Sequence, residues 1–309
     1  MSDAITEMGE PGEIWRLSKT VMRVLAPNPG LMTGPGTNTY VVGGPEAAIV
    51  LDPGPAIESH KAAVLDAIGG REVRSILVTH HHIDHWPLAP ELGEELDAIV
   101  YSHGPIGDFA PDRRMPAGGV QVVPGARLRA LHTPGHASDH LCFVFEEEDA
   151  LFSGDHILAD TTTVIAPPDG NMASYMESLE ITKKLDVSLV YPGHGPVIAD
   201  AGAWIDYYIS HRVEREQAVI EAVFAGVETI PEMVERIYTD VDDALHPIAR
   251  FSVLAHLEKL IAEGKVSAPE EDLAADRDFA SEAGNAESPA IPLVEPPLME
   301  SRFRPVTGA

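Results

Sequence analysis

Four times along this chain, a short apolar run stops at a histidine or an aspartate set beside a turn. Ser75–Val78 leads into Thr79-His80-His81-His82-Ile83-Asp84-His85, and the run containing Leu131 leads into Thr133-Pro134-Gly135-His136. Ala150–Phe152 leads into Ser153-Gly154-Asp155-His156, and Leu189–Val190 into Tyr191-Pro192-Gly193-His194-Gly195. Runs of this length and composition are strands, and the loop after a strand is where a fold presents reactive side chains. The adjacent glycines allow the sharp turn that such delivery needs. A chain built this way has to bring four strand ends to one place, which demands sheets.

The remaining pattern agrees. Strands are expected at Thr39–Val42, Ile49–Asp52, Ser75–Thr79, Ala98–Ser102, Val120–Val123, Leu128–Leu131, Leu141–Phe145, Ala150–Ser153 and Leu189–Tyr191, with helices at Glu58–Ile68 and Met172–Leu185. Many short strands and few helices point to an α/β fold of two sheets flanked by helices rather than one doubly wound sheet. From Trp204 the pattern turns helical. A long helix carries Ile205, Tyr208, Ile209, Val213, Ile220, Val223 and Phe224, and the capping box Thr229-Ile-Pro-Glu232 opens a second. Ser252–Glu263 makes a third, and Lys265-Val266 begins a short strand, the outline of a winged helix. Three domains are expected: a catalytic domain over 1–203, a helical module over 204–266, and a Pro-rich acidic tail over 267–309, disordered or draped on the surface.

His80 and His82 stand two apart and point the same way from an extended segment, while Asp84 and His85 curl back in the turn beyond. Imidazole with carboxylate suits zinc, and iron or manganese less specifically. His81, between two ligands, is expected to point away and to be structural. Cys142 is the single cysteine, which excludes an intramolecular disulfide and any thiolate cluster. The N-terminus has no signal-like apolar run and no span of 18 apolar residues occurs, so a cytoplasmic protein with no membrane role is expected.

In order and context, these motifs resemble the metallo-β-lactamase superfamily of binuclear hydrolases. The resemblance implies a four-layer αβ/βα sandwich holding two zinc ions. His80, His82 and His136 would take one metal, Asp84, His85 and His194 the other, and Asp155 would bridge them. Asp52 would orient a ligand histidine, with His140 as a further supporting side chain. Asn28-Pro-Gly30, Gly36-Thr-Asn-Thr-Tyr40, Tyr208-Ile-Ser-His-Arg212 and the winged helix resemble the β-lactamase-like protein 2 branch, close to glyoxalase II. Asn38, Tyr40, Tyr175 and His211 are the candidate substrate contacts. Trp86-Pro87 replaces the glycines usual after the Asp-His pair, which bears on the shape of the substrate mouth.

The implied reaction is metal-dependent hydrolysis of a small or carrier-bound thioester, ester or lactone by a metal-bridging hydroxide, with Asp84 as the catalytic carboxylate. The runner-up is a metal-dependent endoribonuclease. A β-lactamase ranks lower, because true β-lactamases of the superfamily lack a bridging aspartate at the position of Asp155. A non-enzymatic regulatory protein ranks lower as well, because the ligand set is complete. Charge separates the first two. The formal net charge is −28, and residues 211–266 carry six basic against eleven acidic side chains. A winged helix that grips nucleic acid needs a basic face. The expected partners are therefore a small-molecule or acyl-carrier substrate, with RNA second, no membrane, and a homodimer as the one self-association considered.

Overall fold

The computed structural model describes residues 7–239, 241–269 and 302–306. The chain divides into two compact units, one of Met1–Thr133, Asp139–Thr163 and Thr182–Ile205, the other of Pro134–Ser138, Val164–Ile181 and Asp206–Ala309.

The first unit holds two sheets. Strands β1 (Ile14–Arg16), β2 (Val21–Leu25), β3 (Asn38–Gly43), β4 (Ala47–Leu51), β5 (Glu72–Leu77), β6 (Ile99–Ser102) and β7 (Arg113–Arg114) lie side by side in sequence order. The pairings from β1 to β4 are antiparallel and those from β4 to β7 parallel. The parallel joins need crossovers, which α1 (Glu58–Ile68) and α2 (Ala89–Leu96) supply between β4 and β5 and between β5 and β6. The second sheet runs β12 (Leu189–Pro192), β11 (Ala150–Gly154), β10 (Leu141–Phe145), β9 (Ala126–His132), β8 (Val120–Val123), parallel only between β11 and β12.

The inward faces of both sheets form one core. Tyr40, Val42, Ile49, Leu51 and Leu77 from the first meet Leu128, Ala130, Phe143, Phe145, Phe152 and Tyr191 from the second. The Phe152 ring stacks on Tyr191 at 4.9 Å and takes the Tyr40 ring edge-on at 5.1 Å. On the far face of the first sheet, Val24, Val41, Val50 and Ile76 pack against Val64, Ala67 and Ile68 of α1 and Ala89 and Leu92 of α2. Strands β4 and β10 are buried along their whole length, which is why they read as unbroken apolar runs.

Helices α3 (Met172–Lys183) and α4 (Ala201–Phe224) each begin in one unit and end in the other. In the second unit, α5 (Ile230–Ile237) and α6 (His246–Ala262) follow α4, and β13 (Val266–Ser267) pairs antiparallel with β14 (Arg304–Pro305). Val223, Ile230, Met233, Val234, Val253, Leu254, Leu257 and Phe303 form its core. Burying a side chain the size of Phe303 is worth about 2–3 kcal/mol.

Each expected strand and helix of the first unit is present. The reading missed β1, β2, β7 and α2. Arg23 interrupts the apolar pattern of β2, and its buried guanidinium donates to the Glu7 carbonyl at 2.8 Å. Pro90 and Gly93 make α2 look like a turn, although Pro90 occupies the first helical turn, where its missing N–H costs nothing. Pro247 likewise opens α6 six residues before the expected start. At α5 the Thr229 hydroxyl donates to the Glu232 carboxylate at 2.7 Å instead of accepting a backbone N–H. The acidic run Glu146–Asp149 forms a turn in which Glu148 accepts from Ser18, Thr20 and Tyr191. The partner of β13 comes from the far end of the tail, where buried Phe303 and its N–H bond to the Glu228 carbonyl at 2.9 Å tie the segment down. The rest of the expected tail, residues 270–301 and 307–309, lies outside the described residues.

Candidate metal centre

The Thr79–His85 loop leaves β5 and is fixed from behind by Asp52, which follows β4 in a left-handed conformation (φ 45°). Asp52 accepts the Thr79 N–H and the Thr79 hydroxyl, both at 2.8 Å, and the His85 Nδ1–H at 2.9 Å. This settles two tautomers. Carboxylate oxygen only accepts, so the Thr79 proton points to Asp52 and the 2.9 Å contact between Thr79 Oγ1 and His80 Nδ1 is donated by the imidazole. His80 and His85 therefore both turn Nε2 away from their anchors, as metal-ligating histidines do. His80 Nε2 stands 3.0 Å from His82 Nδ1.

His194 arrives from the turn after β12. Its Nδ1 donates to the Gly36 carbonyl at 3.0 Å, and its Nε2 faces Asp84 at 3.1 Å and Asp155 at 3.4 Å. His85 Nε2 faces the same two carboxylates at 3.3 and 3.5 Å and is buried without a hydrogen-bond partner. Asp155 follows β11, where its N–H donates to His140 Nε2 at 3.1 Å, and His140 Nδ1 in turn meets Thr133 Oγ1 at 3.0 Å. Gly193 lets this cluster close up: a Cβ there would stand 2.4 Å from Asp155 Oδ1 and 3.0 Å from His85 Cε1.

Two groups of donor atoms thus converge within 4.8 Å in the first unit, His80 with His85 and Asp155, and Asp84 with His85 and His194. His85 Nε2 is an orphaned, buried nitrogen aimed between two carboxylates, and the donors are those that bind divalent transition metals. The residues fit a metal centre.

The electrostatics follow from crowding opposite charges out of water. Burial would raise the Asp84 and Asp155 carboxyls, but His85 and His194 reverse this and hold both well below the carboxylate range. Burial would lower His194, but Asp155 and Asp84 push it up to about 10, and they carry His85 well above its usual value. His80 goes the other way: burial, then the neighbouring His85, His82 and His140, hold it well below the ordinary imidazole value and so keep it neutral.

In the second unit, His136 Nδ1 lies 2.7 Å from the Val164 carbonyl and donates to it, which again makes Nε2 the acceptor nitrogen. His81 points away as expected, its Nδ1 2.9 Å from Asp139 Oδ1. Trp86 stacks on Phe109 at 4.8 Å and donates to the His81 carbonyl at 2.9 Å, so the replacement of the usual glycines stiffens this loop.

The candidate substrate contacts come out differently. Asn38 and Tyr40 are buried, and the Asn38 NH2 and the Tyr40 hydroxyl brace the His194 turn. Asn38 Nδ2 donates to the Pro192 and Gly195 carbonyls at 3.0 and 2.9 Å, and the Tyr40 hydroxyl donates to Pro192 at 2.8 Å. Tyr175 is fully buried beneath the Arg212 guanidinium, 5.4 Å from its ring. His211 is half-buried and receives a 3.3 Å hydrogen bond from Arg215 Nε. The Asn38 amide NH2 and the Tyr40 hydroxyl are thus engaged by backbone carbonyls, and Tyr175 is covered by a cation. Thr79, Thr37 and Asn28 carry no assigned role in the sequence reading, although Thr37 touches Asp84 at 3.1 Å. The signal available was Thr79 directly before the histidines and Thr37 inside the Gly36–Tyr40 motif.

A sequence profile of the Metallo-beta-lactamase superfamily matches residues 32–194, and one of the Beta-lactamase associated winged helix domain matches 229–275. The chain belongs to the metallo-β-lactamase superfamily. It is 35% identical over 277 residues to an atrochrysone carboxyl ACP thioesterase of Aspergillus chevalieri, covering 82% of this chain and 85% of that one. It is 34% identical over 266 residues to a β-lactamase-like protein 2 homolog of Caenorhabditis elegans, covering 83% and 89%. In structure it is similar to a metallo-β-lactamase family protein from Thermus thermophilus, with a TM-score of 0.70 at 22% identity over 94% of this chain and all of that one. The fold is the superfamily's α/β architecture with a C-terminal winged helix, and the chain is a superfamily hydrolase with histidine and aspartate groups positioned for metal. No helix among the described residues is long and apolar enough to cross a membrane.

Proposed function

We propose that this chain is a binuclear zinc hydrolase of a small or carrier-bound thioester, ester or lactone. The observation that carries the reading is the convergence of His80, His85 and Asp155 with Asp84, His85 and His194. His80 and His82 are assigned to one metal, Asp84, His85 and His194 to the other, and Asp155 to both. Bound there, two divalent metals would lower the pKa of water and polarise the substrate carbonyl. Asp84, partly exposed beside this ligand set, orients the attacking water and takes up its proton. Asp52 and the Gly36 carbonyl hold His85 and His194 in the tautomers that leave Nε2 for ligation. A thiolate leaves without being protonated, so a thioester makes the smallest demand on this centre for a proton donor. The similarity to a carrier-protein thioesterase supports the same substrate class.

The test is a turnover panel on the zinc-loaded protein: acyl-coenzyme A, an acylated carrier protein, acyl-glutathione, a lactone and single-stranded RNA. Thioester or ester hydrolysis is expected, lost together with bound zinc in the His80→Ala/His82→Ala variant. Metal-dependent RNA cleavage without thioester or ester turnover would overturn the substrate assignment, and undiminished metal content in the variant would overturn the site.

A further inference from the structure

The loop joining β2 to β3 touches the second ligand group at consecutive residues. The Gly36 carbonyl accepts from His194 Nδ1 at 3.0 Å, and the Thr37 hydroxyl reaches Asp84 Oδ2 at 3.1 Å. Oδ2 is also the Asp84 atom nearest His85 Nε2 and His194 Nε2. Gly36 can take this course because it has φ +140°, and a Cβ would stand 2.2 Å from the Ala26 carbonyl. Behind Thr37 sits Asn28. Its Oδ1 accepts the Thr37 N–H at 2.9 Å, and its Nδ2 donates to Thr37 Oγ1 at 3.0 Å.

The direction of every proton in this chain of contacts is forced. A backbone N–H can only donate, so the amide oxygen of Asn28 faces it and the amide NH2 faces the hydroxyl. The hydroxyl, already receiving a hydrogen from Asn28, sends its own single proton to the Asp84 carboxylate. Thr37 is fully buried, so water offers no substitute. A charge-assisted hydrogen bond of fixed polarity therefore pins one carboxylate oxygen where both histidine nitrogens of the group point.

We infer that Asn28 and Thr37 are positioning residues for the second metal: they act through Asp84, holding its Oδ2 in the ligating orientation. The inference rests on the metal assignment of Asp84, His85 and His194 but not on the substrate. Outer-shell partners of this kind are worth about 10–100-fold in metal affinity.

Metal titration of the apo full-length chain with Co2+ and Zn2+, followed by calorimetry and the Co2+ absorption spectrum, tests this without any substrate. Two binding events are expected for the parent chain. Thr37→Val, nearly isosteric, is expected to weaken the second event about 10-fold or more, leave the first within twofold, and change the Co2+ bands of the second site. Thr37→Ser restores both, because only the hydroxyl is needed. Asn28→Ala, which keeps the hydroxyl but frees its proton, is expected to reproduce much of the Thr37→Val defect, and the double variant to be no worse than Thr37→Val alone. A second event in Thr37→Val as tight as in the parent chain, or a Thr37→Ser chain as defective as Thr37→Val, would overturn the inference. If Thr37→Val fails to fold, Asn28→Ala decides it by the same titration. Failure to hydrolyse any thioester or ester would remove the proposed substrate class and leave this result standing.

Discussion

At the residue scale, Asp52 concentrates the most structural consequence in one side chain. It anchors Thr79 twice and His85 once, from a left-handed backbone position that aspartate and asparagine tolerate. Asp52→Asn keeps the shape and the backbone but offers the His85 Nδ1–H or the Thr79 donors an NH2 in place of an oxygen. One buried donor is then unsatisfied, at about 1–3 kcal/mol, and His85 loses the anchor that sets its tautomer. The expected outcome is a lower denaturation midpoint together with metal affinity reduced about 10–100-fold, read by urea unfolding and by zinc titration; a change in stability with no change in affinity would separate Asp52 from the centre. The histidines and aspartates of this centre were legible in the sequence because each terminates an apolar run. Their supporting residues were not, because a threonine or asparagine hydrogen-bonded across 47 residues, as Thr37 is to Asp84, leaves no local periodicity to read.

At the element scale, regular buried strands and α1 announced themselves, whereas elements carrying a charge or a proline in the wrong-looking place did not. β2 hides behind Arg23 and α2 behind Pro90, since a pattern search weighs composition while the fold weighs partners supplied from distant segments. The pairing of β13 with β14 is of the same kind: its information lies in Phe303, far along the chain. Between α4 and α6 the decisive contact is ionic. Glu216 lies 2.8 Å from Lys259 Nζ and 3.5 Å from His256 Nδ1. Burial would raise its carboxyl, but His256 and Lys259 bring it down to about 2 from 4.5. A carboxyl depressed in the folded state adds stability that is present above the unfolded value and lost as pH falls through the folded one. Glu216→Gln should therefore cost about 1 kcal/mol at pH 7 once solvent screening of this half-buried pair is allowed for, with the deficit shrinking between about pH 4.5 and pH 2. Thermal unfolding of both chains across that range checks it, and a deficit independent of pH would assign the loss to packing instead.

At the scale of the whole molecule, the −28 charge sets how an anionic substrate arrives. Long-range repulsion slows its encounter with the surface, and added salt screens that repulsion over about 10 Å at 0.1 M. For a polyanionic thioester such as acyl-coenzyme A, KM is expected to fall as ionic strength rises from about 10 to 150 mM, while a neutral ester shows no such trend. Steady-state kinetics at matched pH decide it; a KM that rises with salt would mean the entrance is locally positive and steers anions in. Net charge was legible from composition, but where it acts depends on which side chains surround the centre, and that only the folded chain shows.

The ligand groups draw on loops from both sheets: His80, Asp84 and His85 follow β5, while Asp155 and His194 follow β11 and β12. The chain has one cysteine, buried and with its thiol pushed up to about 12, so no covalent bridge ties the two sheets together. A metal held by His80, His85 and Asp155 would do so, joining positions roughly 70 residues apart and closing a loop whose entropy the unfolded chain must otherwise lose. Such a metal would serve as a clasp as well as a reagent. Its removal by a chelator would loosen the sandwich itself, and the supply of metal would govern how long the folded protein lasts.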